Sequence, residues 1–115
     1  TDSSRGSGLP DGTEIILGSK KYGQLSYVEN GVAIMPDRKA FAGSVCTTDR
    51  CVRTMHKTVG LTIEESVAMM TANPAKVLGI DSKKGYLSTG YDADINVFDD
   101  NVNIKHVMVG GELRF

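Results

Sequence analysis

The stretch Phe41-Ala42-Gly43-Ser44-Val45-Cys46-Thr47-Thr48-Asp49-Arg50 is where this chain changes character. Upstream of it the sequence is punctuated by glycine and alternates as strands do. Downstream, apolar residues fall at helical spacing. Within it, Ala42-Gly43-Ser44 is a run of small residues, and a residue without a Cβ lets the backbone approach a neighbour or a ligand closely. Read from the residues alone, the run is first a strand-to-helix turn and second a ligand contact.

Working upstream, residues 13–41 read as strand, turn, strand. Glu14-Ile15-Ile16-Leu17 is a short apolar run, and Gln24 to Val28 alternates, with Leu25 and Tyr27 set against Ser26. Val32-Ala33-Ile34-Met35 follows Asn30-Gly31, a strong hairpin signal because both central residues of that turn need positive φ. Asp37-Arg38-Lys39 forms a second polar turn before Ala40-Phe41. Residues 1–12, Thr1-Asp2-Ser3-Ser4-Arg5-Gly6-Ser7-Gly8-Leu9-Pro10-Asp11-Gly12, have the composition of a loop, with no initiator methionine and no apolar signal segment, and read as an internal piece of something longer. They are either a flexible tail or a mobile active-site loop with the carboxylate of Asp2 at its root.

Working downstream, Thr47 or Thr48 can cap a first helix, with Asp49 in its first turn, Val52, Met55 and Val59 as its apolar face and Gly60 as its stop. His56 sits at the edge of that face as a structural residue. Thr62-Ile63-Glu64-Glu65 is a capping box opening a second helix, whose Ile63, Val67 and Met70 face inward, with Met69 and Met70 read as core fillers. Asn73-Pro74 reads as the N-cap and first position of a short helix closed by Gly79. Ile95–Phe98, Ile104–Val109 and Glu112–Phe115 are predicted strands, the last two joined at Gly110-Gly111. Asp92 and Asp94, beside Gly90, read as turn-capping residues.

At 115 residues the chain has room for one modest core, and 13 Lys and Arg against 14 Asp and Glu leave no broad field to draw nucleic acid or an anionic membrane. Cys46 and Cys51, five apart near a helix start, do not share a face, which speaks for reduced thiols and a cytoplasmic setting.

Asn73-Pro74-Ala75, Leu78-Gly79 and Gly85-x-Leu87-x-x-Gly90-x-Asp92-Ala93-Asp94-Ile95 together resemble the carboxyl-terminal signature of the amidohydrolase superfamily. Within it, Thr1-Asp2-Ser3, Leu9-Pro10-Asp11-Gly12, the hairpin and Ala42-Gly43-Ser44 before a Thr-x-Asp-Arg-like helix start are similar to the N-acetylglucosamine-6-phosphate deacetylase family. Asn96, where that family has an aliphatic residue, and Ser3-Ser4-Arg5 depart from the pattern. The resemblance implies an α+β fragment: the end of a metal-dependent (β/α)₈ barrel in residues 1–79, with its last strand edge, antiparallel hairpin and last helices, plus the carboxyl-terminal strands of a composite β-sandwich in residues 80–115. It implies hydrolysis of N-acetylglucosamine 6-phosphate to glucosamine 6-phosphate and acetate by a homodimeric enzyme of amino-sugar catabolism. Asp2 is its implied catalytic residue, taking a proton from water and passing it to the departing amine, while Phe41, Ala42 and Gly43 lie against the phosphosugar. The implied divalent metal, commonly zinc, has no ligand here, since neither His56 nor His106 matches a ligand position, and a whole barrel takes about 250 residues. The competing expectations are another amidohydrolase, such as a dihydroorotase or a deaminase, and a non-catalytic α+β interaction module.

Overall fold

The computed structural model describes residues 1–115, which divide into two compact units, Thr1–Thr48 and Asp49–Phe115. No helix is long and apolar enough to cross a membrane.

The first unit is built on the antiparallel meander β1 (Glu14–Leu17), β2 (Gln24–Glu29) and β3 (Val32–Ile34), in that spatial order. Asn30 and Gly31 join β2 to β3 with φ of 51° and 70°, the pair of positive values that the hairpin signal demands. The Asp11 carboxylate caps this turn from a distant loop, accepting the amides of Asn30 at 2.9 Å and Gly31 at 3.3 Å. Ile15, Val28, Ala33, Ala42 and Val45 form the core, with Leu17 and Met35 packed against it. The buried face of β2 is therefore Ser26 and Val28, while Leu25 and Tyr27 are only half-buried. Register explains this: Ser26 lies opposite Ile15 and Val28 opposite Ala33, so the face shared with the core carries the small residue. Residues 1–12 are not a loose tail. The Ser4 amide donates to the Ser44 carbonyl at 2.7 Å, the Gly12 amide to the Val28 carbonyl at 2.7 Å, and Gly6 is buried against the core.

Helix α1 (Thr48–Arg53) starts on the last residue of the first unit and carries the chain into the second, where it widens into a π-helical segment, Thr54–Val59. The amide of Gly60 bonds the Met55 carbonyl five residues back, and the wider turn rotates later positions off the apolar stripe. Val52 is buried and Met55 half-buried, but Val59 is 59% exposed, contrary to the face expected from an unbroken α-helix. The capping box forms as the sequence predicts: in front of α2 (Ile63–Ala68), Thr62 Oγ1 accepts the Glu65 amide at 3.2 Å and Glu65 Oε2 accepts the Thr62 amide at 2.9 Å. The fully buried residue of α2 is Ser66, its hydroxyl donating to the Thr62 carbonyl at 2.8 Å. Met69 is 42% exposed rather than a core filler. Helix α3 (Ala72–Leu78) begins before Asn73, so Asn73 is not its cap. Pro74 still falls within the first turn, where backbone amides have no intrahelical acceptor and its missing N–H removes nothing.

Strands β4 (Ile95–Phe98), β5 (Ile104–Val109) and β6 (Glu112–Leu113) make a second antiparallel sheet, with a bulge between Val97 and Phe98. The carboxylates of Asp92 and Asp94 do not cap their own turn as the sequence suggests. Both grip Lys84, at 2.9 Å and 2.5 Å, and Asp94 also accepts the Gly110 amide at 2.8 Å, because a lysine eight residues back folds over the pair.

These bonds give a signed pH prediction. Bonds from the Thr62 amide and hydroxyl lower the Glu65 pKa, the Lys84 ammonium and then the Gly110 amide lower that of Asp94, and the Asn103 amide and side chain lower that of Asp99. A carboxylate with a depressed folded pKa contributes stability above its unfolded pKa, about 3.9 to 4.3, and loses it as pH falls through the folded value. Asp94, and then Asp92, raise the Lys84 pKa, so its contribution runs the other way and is lost only as pH rises past the ordinary lysine range. Urea midpoints are expected to fall steadily below about pH 5, less steeply in high salt since Glu65, Lys84 and Asp94 are exposed and Asp99 only half-buried. A midpoint flat down to about pH 2 would contradict this.

Candidate active site

All the candidate site residues lie in the first unit. Ser3 pairs with Ser44 in a parallel bridge, so the residues preceding them, Asp2 and Gly43, run side by side. One further bond fastens this crossing, and a second, local one shapes the turn on its far side. The Ser3 hydroxyl donates to the Cys46 carbonyl, and the Cys46 amide donates to Ser44 Oγ at 3.0 Å. Asp2 is exposed and holds a left-handed φ of 47°, a conformation that aspartate tolerates better than most residues.

Across from Asp2, the Phe41–Gly43 segment alternates sharply in burial. Phe41 pairs with Ile34 and is 76% exposed, Ala42 sits in the core with its amide on the Ala33 carbonyl at 2.8 Å, and Gly43 turns out again. Gly43 has φ of 91°, and no atom lies within 4 Å of where its Cβ would stand. That position strains any residue with a side chain, and the space beside its backbone is open to a ligand. Asp2, the bare backbone of Gly43 and the exposed ring of Phe41 are thus carried by two neighbouring chain segments, with Ala42 tying one of them to the core. A carboxylate can move a proton, and an aromatic ring with open backbone beside it can lie against an apolar sugar face.

Ser3, Gly6 and Ser44 are missed in the sequence as supports of this site. Glycine and serine at that density look like disorder, Ser3 and Ser44 find each other across about forty positions, and Gly6 meets Ile15, Val28 and Val45 from three separate segments, where no local pattern reaches.

The chain matches the amidohydrolase family over residues 7–114. It belongs to that family. Among curated amidohydrolase relatives, the N-acetylglucosamine-6-phosphate deacetylase of Lysinibacillus sphaericus is 36% identical over 114 residues, which is 99% of this chain and 28% of that protein. The structure of the Pasteurella multocida N-acetylglucosamine-6-phosphate deacetylase superposes with a TM-score of 0.86 at 25% identity, covering 99% of this chain and 28% of that one. A Mycobacterium smegmatis N-acetyl-D-glucosamine-6-phosphate deacetylase, solved as a mutant in complex with N-acetyl-D-glucosamine-6-phosphate, gives 0.77 at 28% identity, covering 96% of this chain and 28% of that one. The chain spans between a fifth and just over a quarter of the length of the curated relatives heading the comparison.

Amidohydrolases are generally metal-dependent, and the side chains of this chain do not suit an ion. No group of three or more His, Cys, Asp or Glu residues converges anywhere. His56 Nδ1 is bonded to the Leu61 carbonyl at 2.8 Å, and His106 pairs with Val97 across the second sheet. The Lys84 ammonium already occupies the space between Asp92 and Asp94 and pairs with both. These carboxylates edge a groove of about 640 Å³ in the second unit, whose walls, including Val67, Ala75 and Leu87, are largely apolar. Of the ionised groups that line it, Lys84, Asp92 and Asp94 are paired with one another, and Glu64 stands exposed on α2.

Proposed function

We propose that this chain is the carboxyl-terminal portion of an N-acetylglucosamine-6-phosphate deacetylase, an enzyme of amino-sugar catabolism that releases acetate and glucosamine 6-phosphate. The observation that carries the reading is the placement of Asp2 alongside Gly43, with Phe41 exposed in the same segment, in an amidohydrolase whose relatives bear that name. Asp2 is the proton carrier: it accepts a proton from the attacking water and returns it to the amine as the amide C–N bond breaks. Gly43 and Ala42 offer backbone to the phosphosugar, and the Phe41 ring covers a face of it.

Residues 1–79 are assigned to the end of the family's (β/α)₈ barrel, where catalytic groups stand at the carboxyl ends of strands, and residues 80–115 to its β-sandwich. A divalent ion, zinc foremost, belongs to residues outside this chain, and so do the phosphate contacts. The whole enzyme is read as a cytoplasmic homodimer.

The test is acetate release. The full-length polypeptide carrying this sequence is expected to deacetylate N-acetylglucosamine 6-phosphate with zinc present, and a purified, metal-loaded protein that releases none would overturn the assignment. The 115-residue chain by itself is expected to show no turnover above a zinc-only blank, since it has one proton carrier and no metal site.

A further inference from the structure

The Asp2 side chain is exposed, and no bond within the chain fixes its carboxylate, so its placement depends on the backbone that follows it. That backbone is held at successive points. Ser3 pairs with Ser44, and the Ser4 amide donates to the Ser44 carbonyl at 2.7 Å. The Gly6 amide reaches back to Ser4 Oγ at 3.3 Å. Gly6 itself sits where a Cβ would stand 3.0 Å from Ile15 Cδ1, 3.0 Å from Val28 Cγ2 and 3.1 Å from Val45 Cγ1, so the loop is seated in the core by a residue chosen for close approach.

One contact differs from the rest. The Ser3 hydroxyl passes over Ser44 and donates to the carbonyl of Cys46, two residues further along. The pairing with Ser44 is made by backbone alone, and the Ser3 hydroxyl is the one side chain of residues 2–4 that reaches across to the other segment. A second attachment at Cys46 fixes the direction in which the chain leaves Ser3, and with it the direction of the Asp2 side chain.

We propose that Ser3 is a positioning residue, whose hydroxyl, held on the Cys46 carbonyl, aims Asp2 along Gly43, with Gly6 as the buried anchor of the same loop. The inference rests on Asp2 being the catalytic carboxylate. Its signature is separable from a structural one. Ser3 is exposed, so its one hydroxyl bond adds to folding no more than a single exposed hydrogen bond does, whereas a small misplacement of a reacting group is costly in rate.

The experiment compares Ser3→Ala and Ser3→Thr with wild type in the full-length polypeptide, measuring kcat and KM for N-acetylglucosamine 6-phosphate alongside Tm. Ser3→Ala is expected to lower kcat roughly ten- to a hundredfold, with KM close to wild type and Tm lowered by no more than the loss of one exposed hydrogen bond. Ser3→Thr keeps the donor and is expected to restore most of the lost kcat. Wild-type kcat in Ser3→Ala, or an equal loss in Ser3→Thr, would overturn the inference while leaving the deacetylase reading intact. A wild-type protein without acetate release would overturn both, so the two failures are distinct.

Discussion

Asp2→Asn, made in the full-length polypeptide, is expected to lower kcat for N-acetylglucosamine 6-phosphate by about 10²- to 10⁴-fold, the range over which a positioned general acid or base contributes. Asparagine is the informative replacement for a conformational reason. Asp2 holds φ of 47°, and asparagine shares with aspartate the ability to occupy the left-handed region, so the backbone stays where the Ser3–Ser44 bridge puts it. Alanine would mix lost chemistry with added strain at the same position. The amide keeps the size of the carboxylate and cannot shuttle the proton, so KM and Tm should change little while turnover collapses. Steady-state kinetics with a parallel thermal melt make the measurement. A variant that keeps more than a tenth of wild-type kcat would remove Asp2 from the mechanism and leave its placement beside Gly43 without chemical meaning.

Where the determinants were local, the sequence carried them. Asn30-Gly31 demanded a turn that only adjoining antiparallel strands satisfy, and Thr62 with Glu65 marked a helix start whose two reciprocal bonds both form. Asp2 and the small-residue run at Gly43 are visible in the sequence as a loop carboxylate and a close-approach segment, the family resemblance gives Asp2 and Phe41–Gly43 their roles, and their adjacency comes only with the structure. The bridge between Ser3 and Ser44 joins segments forty-one positions apart, and nothing in either segment announces the other. Long-range partners account for most of the remaining differences. Asp92 and Asp94 looked like turn caps because Lys84 was not in view, and Ser26 looked like the outward member of its strand because Ile15, opposite it, was not. Val59 is a different case: its spacing fits the apolar face of an α-helix, but the helix widens beneath it and leaves it exposed.

Val102 shows a further feature with no sequence signal, and it leads to the second large expected effect. This valine is 2% exposed and holds φ of 59°, where a β-branched side chain is a true outlier. The left-handed conformation costs roughly 1–2 kcal/mol, while burying a valine returns about 1.5 to 3 kcal/mol, so the residue nearly balances itself. The polar frame around it must therefore decide whether the loop closes. Asp99 accepts the amides of Asn101 and Asn103 at 3.0 Å each, and from α1 the Arg53 guanidinium donates to the carbonyl of Asn101 at 2.8 Å and to that of Val102 at 2.7 Å while bonding Asp49 at 3.1 Å. Arg53→Met keeps the aliphatic stem and removes both carbonyl bonds. At about 1 kcal/mol net for each bond in a partly exposed setting, the expected loss is about 2 kcal/mol, read as a lower urea midpoint at unchanged slope. Arg53→Lys is expected to recover less than half of it, because one ammonium cannot reproduce the planar fork that reaches two successive carbonyls. Val102→Gly should stay within about 1 kcal/mol of wild type, relief of the backbone offsetting the lost apolar contact. If lysine restores full stability, the loop needs only a charge at that position, and the forked geometry of Arg53 has no part in holding Val102 in its left-handed conformation.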